Sequence, residues 1–274
     1  MTDRYAVIGN PIAQSRSPDI HQSFAASTGQ DLTYERILAE PGGFAGAVDR
    51  FRAEGARGLN ITTPFKLDAF SYATGCSDRA RAAGAVNAMK FEGTAAWAEN
   101  FDGVGVVIDI RDNLASPVAG ARVLLLGAGG AARGALAPLL GEGPGELVLA
   151  NRRAEASAEL AATAPGDPRL RAVGYPELGR LGGFDLVLNA TSASLQGQAP
   201  AVPSSAFAPG CLAYDMVYGR GLTPFLRLAR DAGAGRLADG VGMLVEQAAE
   251  AFAWWRGVRP DTRAVIERLT VPLV

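Results

Sequence analysis

The segment Gly127-Ala128-Gly129-Gly130-Ala131-Ala132 follows directly on the apolar run Val123-Leu124-Leu125-Leu126, and Asn151-Arg152-Arg153 stands about 20 residues further on. A buried strand, a tight glycine turn and a helix start let backbone N–H groups approach a pyrophosphate, which the positive end of the helix favours. In this reading Gly127 makes the turn, Gly129 allows the close approach and Ala132 packs helix on strand. At the end of the next apolar run, Glu146 to Ala150, an Asp or Glu would accept from a ribose 2′-OH; Arg152 and Arg153 stand there instead. A planar guanidinium suits a 2′-phosphate, so the implied ligand is NADP rather than NAD.

Small polar residues crowd three other places: Ser15-Arg16-Ser17, Asn60-Ile61-Thr62-Thr63-Pro64-Phe65-Lys66 and Asn100-Phe101-Asp102-Gly103, with Asn87 adding a further amide. In an open α/β sheet, ligands bind at the carboxyl ends of strands, and this mixture of hydroxyl, amide and charge suits a polyhydroxylated substrate. Lys66 and Asp102 are the titratable pair. Hydride transfer to a carbonyl leaves negative charge on oxygen, which an ammonium can stabilise and protonate, while a carboxylate orients the ammonium and accepts from a substrate hydroxyl. On spacing alone a structural salt bridge is the commoner reading of such a pair.

The elements that must position these groups alternate between short β-like runs and helical stretches, which predicts an α/β fold. Strands are predicted at Tyr5 to Gly9, Leu32 to Ile37, Gly58 to Ile61, Ala85 to Met89 and Ala95 to Ala98, the last two joined through Glu92-Gly93. Helices are predicted from Pro18 to Thr28, with Ser17 as N-cap and Gly29 as stop, from Gly43 to Glu54, and from Gly103 to Asn113. Beyond a junction at Ser116-Pro117, further strands fall near 123, 147, 186 and 212, and helices at Leu222 to Ala232 and Val241 to Trp255. The domain expectation is therefore residues 1–115 for substrate and catalysis and residues 116–240 for a Rossmann-type NADP-binding domain. Residues 241–274, with the Trp254-Trp255 pair, return to pack on the first domain.

Composition narrows the class. The chain has 274 residues and a net charge of −2, with no long basic run, which speaks against a nucleic-acid partner and for a small molecule. Cys76 and Cys211 lack metal-ligand spacing and read as free thiols of a reducing compartment. No signal-peptide pattern and no apolar run near 18 residues appears, so the expectation is a cytoplasmic protein without a membrane partner. His21 is the one histidine, which nearly excludes Ser-His-Asp catalysis and histidine-rich metal sites, and no metal is expected. It reads as a structural helical residue at the surface or an interface.

Taken in order, these segments resemble the shikimate dehydrogenase family over essentially the whole chain. The matching runs are Ala6 to Ile12, Ser15 to Pro18, Asn60 to Lys66, Gly84 to Asn87, Asp102 to Gly105, Gly127 to Ala131, Asn189 to Ser192, Tyr214 to Tyr218 and Asp239 to Leu244. The resemblance implies reversible NADPH-dependent reduction of 3-dehydroshikimate, with Lys66 as acid/base and Asp102 assisting it while contacting substrate. It implies that Ser15 and Ser17 hold the substrate carboxylate and that Asn60, Thr62, Asn87, Tyr218 and Gln247 complete the pocket. For the cofactor it implies Gly127, Ala128, Gly129, Gly130 and Ala131 at the pyrophosphate, Asn151, Arg152 and Arg153 at the adenosine 2′-phosphate, and Met216 and Gly240 towards the nicotinamide, with Thr191 and Asp78 also at the cofactor.

Two positions depart from the family pattern. Phe101 stands where threonine is common, which is expected to narrow the pocket or weaken binding. Arg153 replaces a threonine, and Ala156 stands where a second arginine is usual. The expected enzyme works as a monomer or homodimer, with cleft closure hinged at Ser116-Pro117 and before Asp239. The alternatives are a relative acting on quinate or an amino-substituted shikimate, and a non-catalytic NADP-binding regulator.

Overall fold

In a computed structural model, residues 2–219 and 221–273 are described. The chain divides into two compact units, Met1–Gly105 with Val245–Val265, and Val106–Leu244 with Ile266–Val274.

The first unit is built from β1 (Asp3–Gly9), α1 (Ser17–Thr28), β2 (Leu32–Leu38), α2 (Phe44–Ala53), β3 (Ala56–Ile61), α3 (Lys66–Tyr72), β4 (Gly75–Cys76), α4 (Asp78–Ala83), β5 (Ala88–Glu92), β6 (Ala95–Glu99) and the start of α5 (Asp102–Ile108). Its sheet runs β2-β1-β3-β5-β6-β4 and is mixed: β1 is parallel to β2 and β3, whereas β5 is antiparallel to both β3 and β6. The β5–β6 hairpin register pairs Ala88 with Glu99 and so brings the end of β6 beside the start of β5. One face packs on Phe44, Val48, Phe51 and Phe65; the other packs on Tyr34, Phe101, Ala251 and Trp255.

The second unit holds β7 (Arg122–Leu126), α6 (Gly130–Gly141), β8 (Glu146–Asn151), α7 (Ala154–Ala161), β9 (Leu170–Gly174), β10 (Phe184–Asn189), β11 (Phe207–Asp215), α8 (Pro224–Asp231) and β12 (Arg236–Asp239). Every strand pair is parallel, in the order β12-β11-β10-β7-β8-β9. Numbered within the unit from β7, that is the 3-2-1-4-5-6 order of a dinucleotide-binding sheet, and the order reverses between β7 and β10. Parallel sheets are covered on both faces, which is why β7 and β10 are near-continuous apolar runs: Leu124, Leu126 and Val187 face one core, and Val123, Leu125 and Leu188 the other.

Helix α9 (Val241–Arg256) belongs to the first unit from Val245 onward, and α10 (Arg263–Leu269) follows. Trp255 stacks on Tyr5 with ring centroids 4.7 Å apart and donates its indole N–H to the Met89 carbonyl at 2.9 Å. Gly58 makes room for that indole, since a Cβ there would lie 2.7 Å from Trp255 Nε1. Among the described residues no helix is long and apolar enough to cross a membrane.

Several elements differ from the sequence expectation. The division between units falls at Gly105–Val106, inside α5, rather than at Ser116-Pro117, and residues 266–274 go with the second unit rather than the first. Ser17 is not a cap: the N-cap is Arg16 with no side-chain bond, and the Ser15 hydroxyl instead accepts from the Ser17 N–H at 3.3 Å. The helix predicted to Asn113 is α-helical only to Ile108 and continues as a π turn over Asp109–Asn113, where Leu114 N–H reaches back to the Asp109 carbonyl at 2.9 Å. Buried Asp109 accepts there from the Tyr214 hydroxyl at 2.7 Å. Residues 85–87 precede β5 rather than belong to it, and β4, β9 and β12 are short strands that periodicity missed.

Candidate active site

In the first unit, the site is assembled at the ends of β3, β6 and the turn before β5. Phe65, 1 % exposed, anchors the turn after β3 in the core, so that Lys66 opens α3 with its side chain a third exposed. Asp102 opens α5, and its N–H donates to the Asn100 side chain at 3.1 Å, while Asn100 in turn donates to the Ala85 carbonyl at 3.0 Å. This pins the loop between β6 and α5.

Lys66 Nζ donates to Asp102 Oδ2 in a charge-assisted hydrogen bond. The other carboxylate oxygen, Oδ1, accepts from the Asn87 amide at 2.8 Å. Asn87 also donates to Gln247 Oε1 at 3.1 Å and accepts the Phe101 N–H at 2.8 Å. Its backbone carbonyl takes the Asn60 amide at 3.2 Å, and Asn60 Oδ1 takes the Tyr34 hydroxyl at 2.6 Å. Asn60, Lys66, Asn87, Asp102 and Gln247 are thus one network, although sequence places Gln247 far from the others. The arrangement fixes a cation beside several amides, with one carboxylate oxygen for each, so an ammonium can be aimed at a developing oxyanion.

The two serines meet through their hydroxyls, Ser15 donating to Ser17 at 3.3 Å, and the Arg36 guanidinium holds the Ser15 carbonyl at 2.6 Å. Thr62 sits at the turn after β3, its N–H on the Ile8 carbonyl at 3.0 Å. Phe101 is buried, 3 % exposed. The ring packs edge-on against Trp254 at 5.9 Å, lies under the Arg79 guanidinium at 5.4 Å and borders a separate cavity of about 650 Å³ with Trp97, Glu99 and Glu250.

His21 is fully buried rather than at a surface or interface. It stacks on Tyr34 with centroids 4.3 Å apart, and neither ring nitrogen makes a hydrogen bond. Burial drives its pKa down to about 3, with the Asn60 amide opposing weakly, so it is a neutral aromatic plate.

In the second unit, the turn after β7 and the turn after β10 flank a cavity of about 450 Å³ lined by Gly127 to Ala131, Asn151, Ala190, Thr191, Ser192, Leu195, Met216 and Val217. Gly127 has φ +109, and a Cβ on it would press to 3.2 Å from the Ala190 carbonyl, so only glycine is unstrained there. Gly129 and Gly130 open onto free space, and Gly129 caps α6 without any side-chain bond. The helix therefore begins with unpaired N–H donors facing a glycine-lined cradle, which fits a pyrophosphate. Arg152 and Arg153 are exposed at the end of β8; burial raises the Tyr175 phenol above its ordinary range, and the Arg152 charge opposes that rise. Asn151 donates to the Arg153 carbonyl at 3.2 Å. Met216 and Gly240 are in backbone contact just beyond β11 and β12.

Asp78, fully exposed at the start of α4 in the first unit, pairs with Arg81 at 3.8 Å, and Tyr218 is exposed in the second unit. Sequence reasoning missed Tyr34 and Asp215, and placed Asn100 in a polar cluster without giving it a role. Asp215 is buried and accepts from Ser194 and Thr223 at 2.6 Å each, from Asn189 at 3.0 Å and from the Val217 N–H at 3.2 Å. It thereby ties the Thr191 turn to the Met216 turn. Burial raises its pKa and these four donors oppose the rise. No spacing rule marks such a knot.

Models of the shikimate dehydrogenase substrate-binding domain, of shikimate/quinate 5-dehydrogenase and of the shikimate 5′-dehydrogenase C-terminal domain match residues 7–89, 110–197 and 240–270. The shikimate dehydrogenase (NADP(+)) of Chromobacterium violaceum is 54 % identical over 98 % of both chains. The chain belongs to the shikimate dehydrogenase family. Within that family the enzyme of the same name from Dechloromonas aromatica is 53 % identical over the full length of both chains. Among solved structures, an Ael1 enzyme from Pseudomonas putida superposes with a TM-score of 0.95 at 55 % identity, covering 100 % of both chains. The Thermus thermophilus shikimate 5-dehydrogenase, solved with NADP(H) and shikimate, gives 0.85 at 30 % identity over 97 % of this chain and 98 % of that one.

Proposed function

We propose that this member of the shikimate dehydrogenase family reduces 3-dehydroshikimate to shikimate with NADPH and catalyses the reverse oxidation, as a step of aromatic amino-acid biosynthesis. The observation that carries this reading is the Lys66–Asp102 pair, held through Asn87 in a cluster of amides, on a chain that also has an uncapped glycine-lined helix start.

When bound, the nicotinamide supplies the hydride. Lys66 Nζ gives its proton to the carbonyl oxygen as charge develops there and, being a third exposed, regains one from solvent. In the oxidative direction the neutral amine takes the hydroxyl proton. Asp102 keeps Nζ aimed through one oxygen, and the Asn87 amide keeps Asp102 from turning through the other. Ser15 and Ser17 supply hydroxyls for the substrate carboxylate, and Asn60, Thr62, Asn87 and Gln247 supply donors and acceptors for its hydroxyls. Tyr218 is assigned to substrate, and Asp78 to cofactor, on the family pattern alone.

Gly127 to Ala131 would hold the pyrophosphate with backbone N–H groups, and Thr191, Met216 and Gly240 would take the nicotinamide side. Asn151, Arg152 and Arg153 would read the 2′-phosphate. Without an arginine at Ala156, NADP selectivity rests on Arg152 and Arg153. One chain carries both residue sets, so a monomer suffices. Both cysteines are free thiols, as suits a reducing compartment.

Initial rates with shikimate and with quinate, each paired with NADP and with NAD, test the reading. The shikimate and NADP pair is expected to be fastest. Turnover of quinate in preference to shikimate, or of neither, would overturn it.

A further inference from the structure

The structure assigns Tyr34 a positioning role: its hydroxyl holds the Asn60 carboxamide oxygen in the orientation that the Asn87 carbonyl selects, so that the second Asn60 N–H is kept for a substrate oxygen. This rests on the proposal that Asn60 contacts substrate.

A primary amide offers one acceptor oxygen and two N–H donors, and can turn over to exchange them. Here both ends are committed. One N–H donates to the Asn87 backbone carbonyl at 3.2 Å, a group that can only accept. Oδ1 therefore faces Tyr34, whose hydroxyl donates to it at 2.6 Å. What remains of Asn60 for a ligand is its second N–H, beside the one lone pair of Oδ1 that Tyr34 leaves.

Tyr34 is built to keep donating. It is 5 % exposed, and burial lifts its phenol well above the ordinary range, so it stays protonated. Its ring lies almost parallel to His21, 6° from coplanar, and His21 is walled in turn by Phe24, Phe252 and Trp255. The Ser17 hydroxyl also bears on the Tyr34 oxygen. One phenol thus links the serine pair to the Asn60–Asn87–Asp102 network.

The chemical consequence is selectivity at one substrate position. A hydroxyl or carboxylate oxygen can accept the remaining N–H, whereas an ammonium has no lone pair and forgoes that bond. Removing the Tyr34 hydroxyl takes that donor from the buried Oδ1 and leaves the amide held at its Asn87 contact alone.

The experiment is a double-mutant cycle read in shikimate oxidation. Tyr34→Phe is expected to raise KM for shikimate about fivefold, the worth of one such hydrogen bond, with kcat changed less than about threefold and KM for NADP unaltered. In an Asn60→Ala background the same change is expected to add less than about twofold, because the group it acts through is gone. If Tyr34 only supported the fold, Tyr34→Phe would raise KM by the same factor in both backgrounds, and that result overturns the assignment. Asn60→Asp, which keeps the acceptor and loses the N–H, probes the direction without altering Tyr34. KM is expected to rise at least as far as in Asn60→Ala; an unchanged KM would show that substrate sees the carbonyl. A wild-type protein inactive with shikimate overturns the functional reading and this one with it, whereas an active wild type with an unaffected Tyr34→Phe variant overturns this one alone.

Discussion

His21 is the chain's only histidine, fully buried and without a hydrogen bond, and its burial makes a sharp prediction for acid stability. The folded-state pKa is about 3 against a reference of 6.5. For a base whose pKa is depressed on folding, the unfolded chain takes up a proton that the native state refuses, so stability is complete above 6.5 and falls as the pH drops toward 3. Between about pH 7.5 and about pH 5, the unfolded state gains roughly 1.5 pK units of protonation free energy, or about 2 kcal/mol of lost stability from this group alone. Urea unfolding read by tryptophan fluorescence is the natural assay, because Trp97, Trp254 and Trp255 all lie in the unit that holds His21. The comparison is with His21→Phe, which has no titrating ring, so that every carboxylate contribution cancels in the difference. Wild type is expected to lose about 2 kcal/mol more than the variant over that interval. An equal loss in both proteins would refute the reasoning. So would an imidazole that titrates near 6.5 in the native protein by NMR, where a single histidine needs no assignment and no variant has to fold.

Lys66→Ala should lower kcat by about 10²- to 10⁴-fold, the range for a lost general acid, while KM for shikimate changes far less; a variant with full turnover would remove Lys66 from the chemistry. Arg152→Ala should weaken NADP much more than NAD, and an equal loss with both cofactors would show that Arg152 does not read the 2′-phosphate. Gly127→Ala forces an alanine to φ +109 with its Cβ 3.2 Å from the Ala190 carbonyl, so about 1–3 kcal/mol of strain should appear as a lower melting temperature by circular dichroism, together with weaker NADP binding. Unchanged melting and cofactor affinity would contradict the cradle described for that turn.

Sequence alone was enough for the α/β class, for the strand, glycine turn and helix of the second unit, and for singling out Lys66 and Asp102 as a titratable pair. These are local statements. Apolar runs such as Val123 to Leu126 report burial on two faces, a glycine reports a turn, and an ordered set of short motifs reports a family whatever the fold does between them.

Tertiary structure decided everything that depends on which side chains meet. Whether Lys66 and Asp102 pair was open on spacing and is settled by β3 and β6 lying one strand apart, with Asn87 between them. Gln247 joins the same network only because α9 brings it there from 160 residues along the chain. Phe101 reads as a plug in the substrate pocket, yet its ring turns to Trp254 and Arg79 while its N–H serves Asn87. His21 reads as a surface helical residue, yet Tyr34, Phe24, Phe252 and Trp255, from β2, α1 and α9, close around it. Tyr34 itself carries no signal in any window, because its function is a hydrogen bond to a residue 26 positions away. A hydrogen bond reaches about 3 Å, and a sequence holds no record of which distant groups will come that close until packing has brought them there.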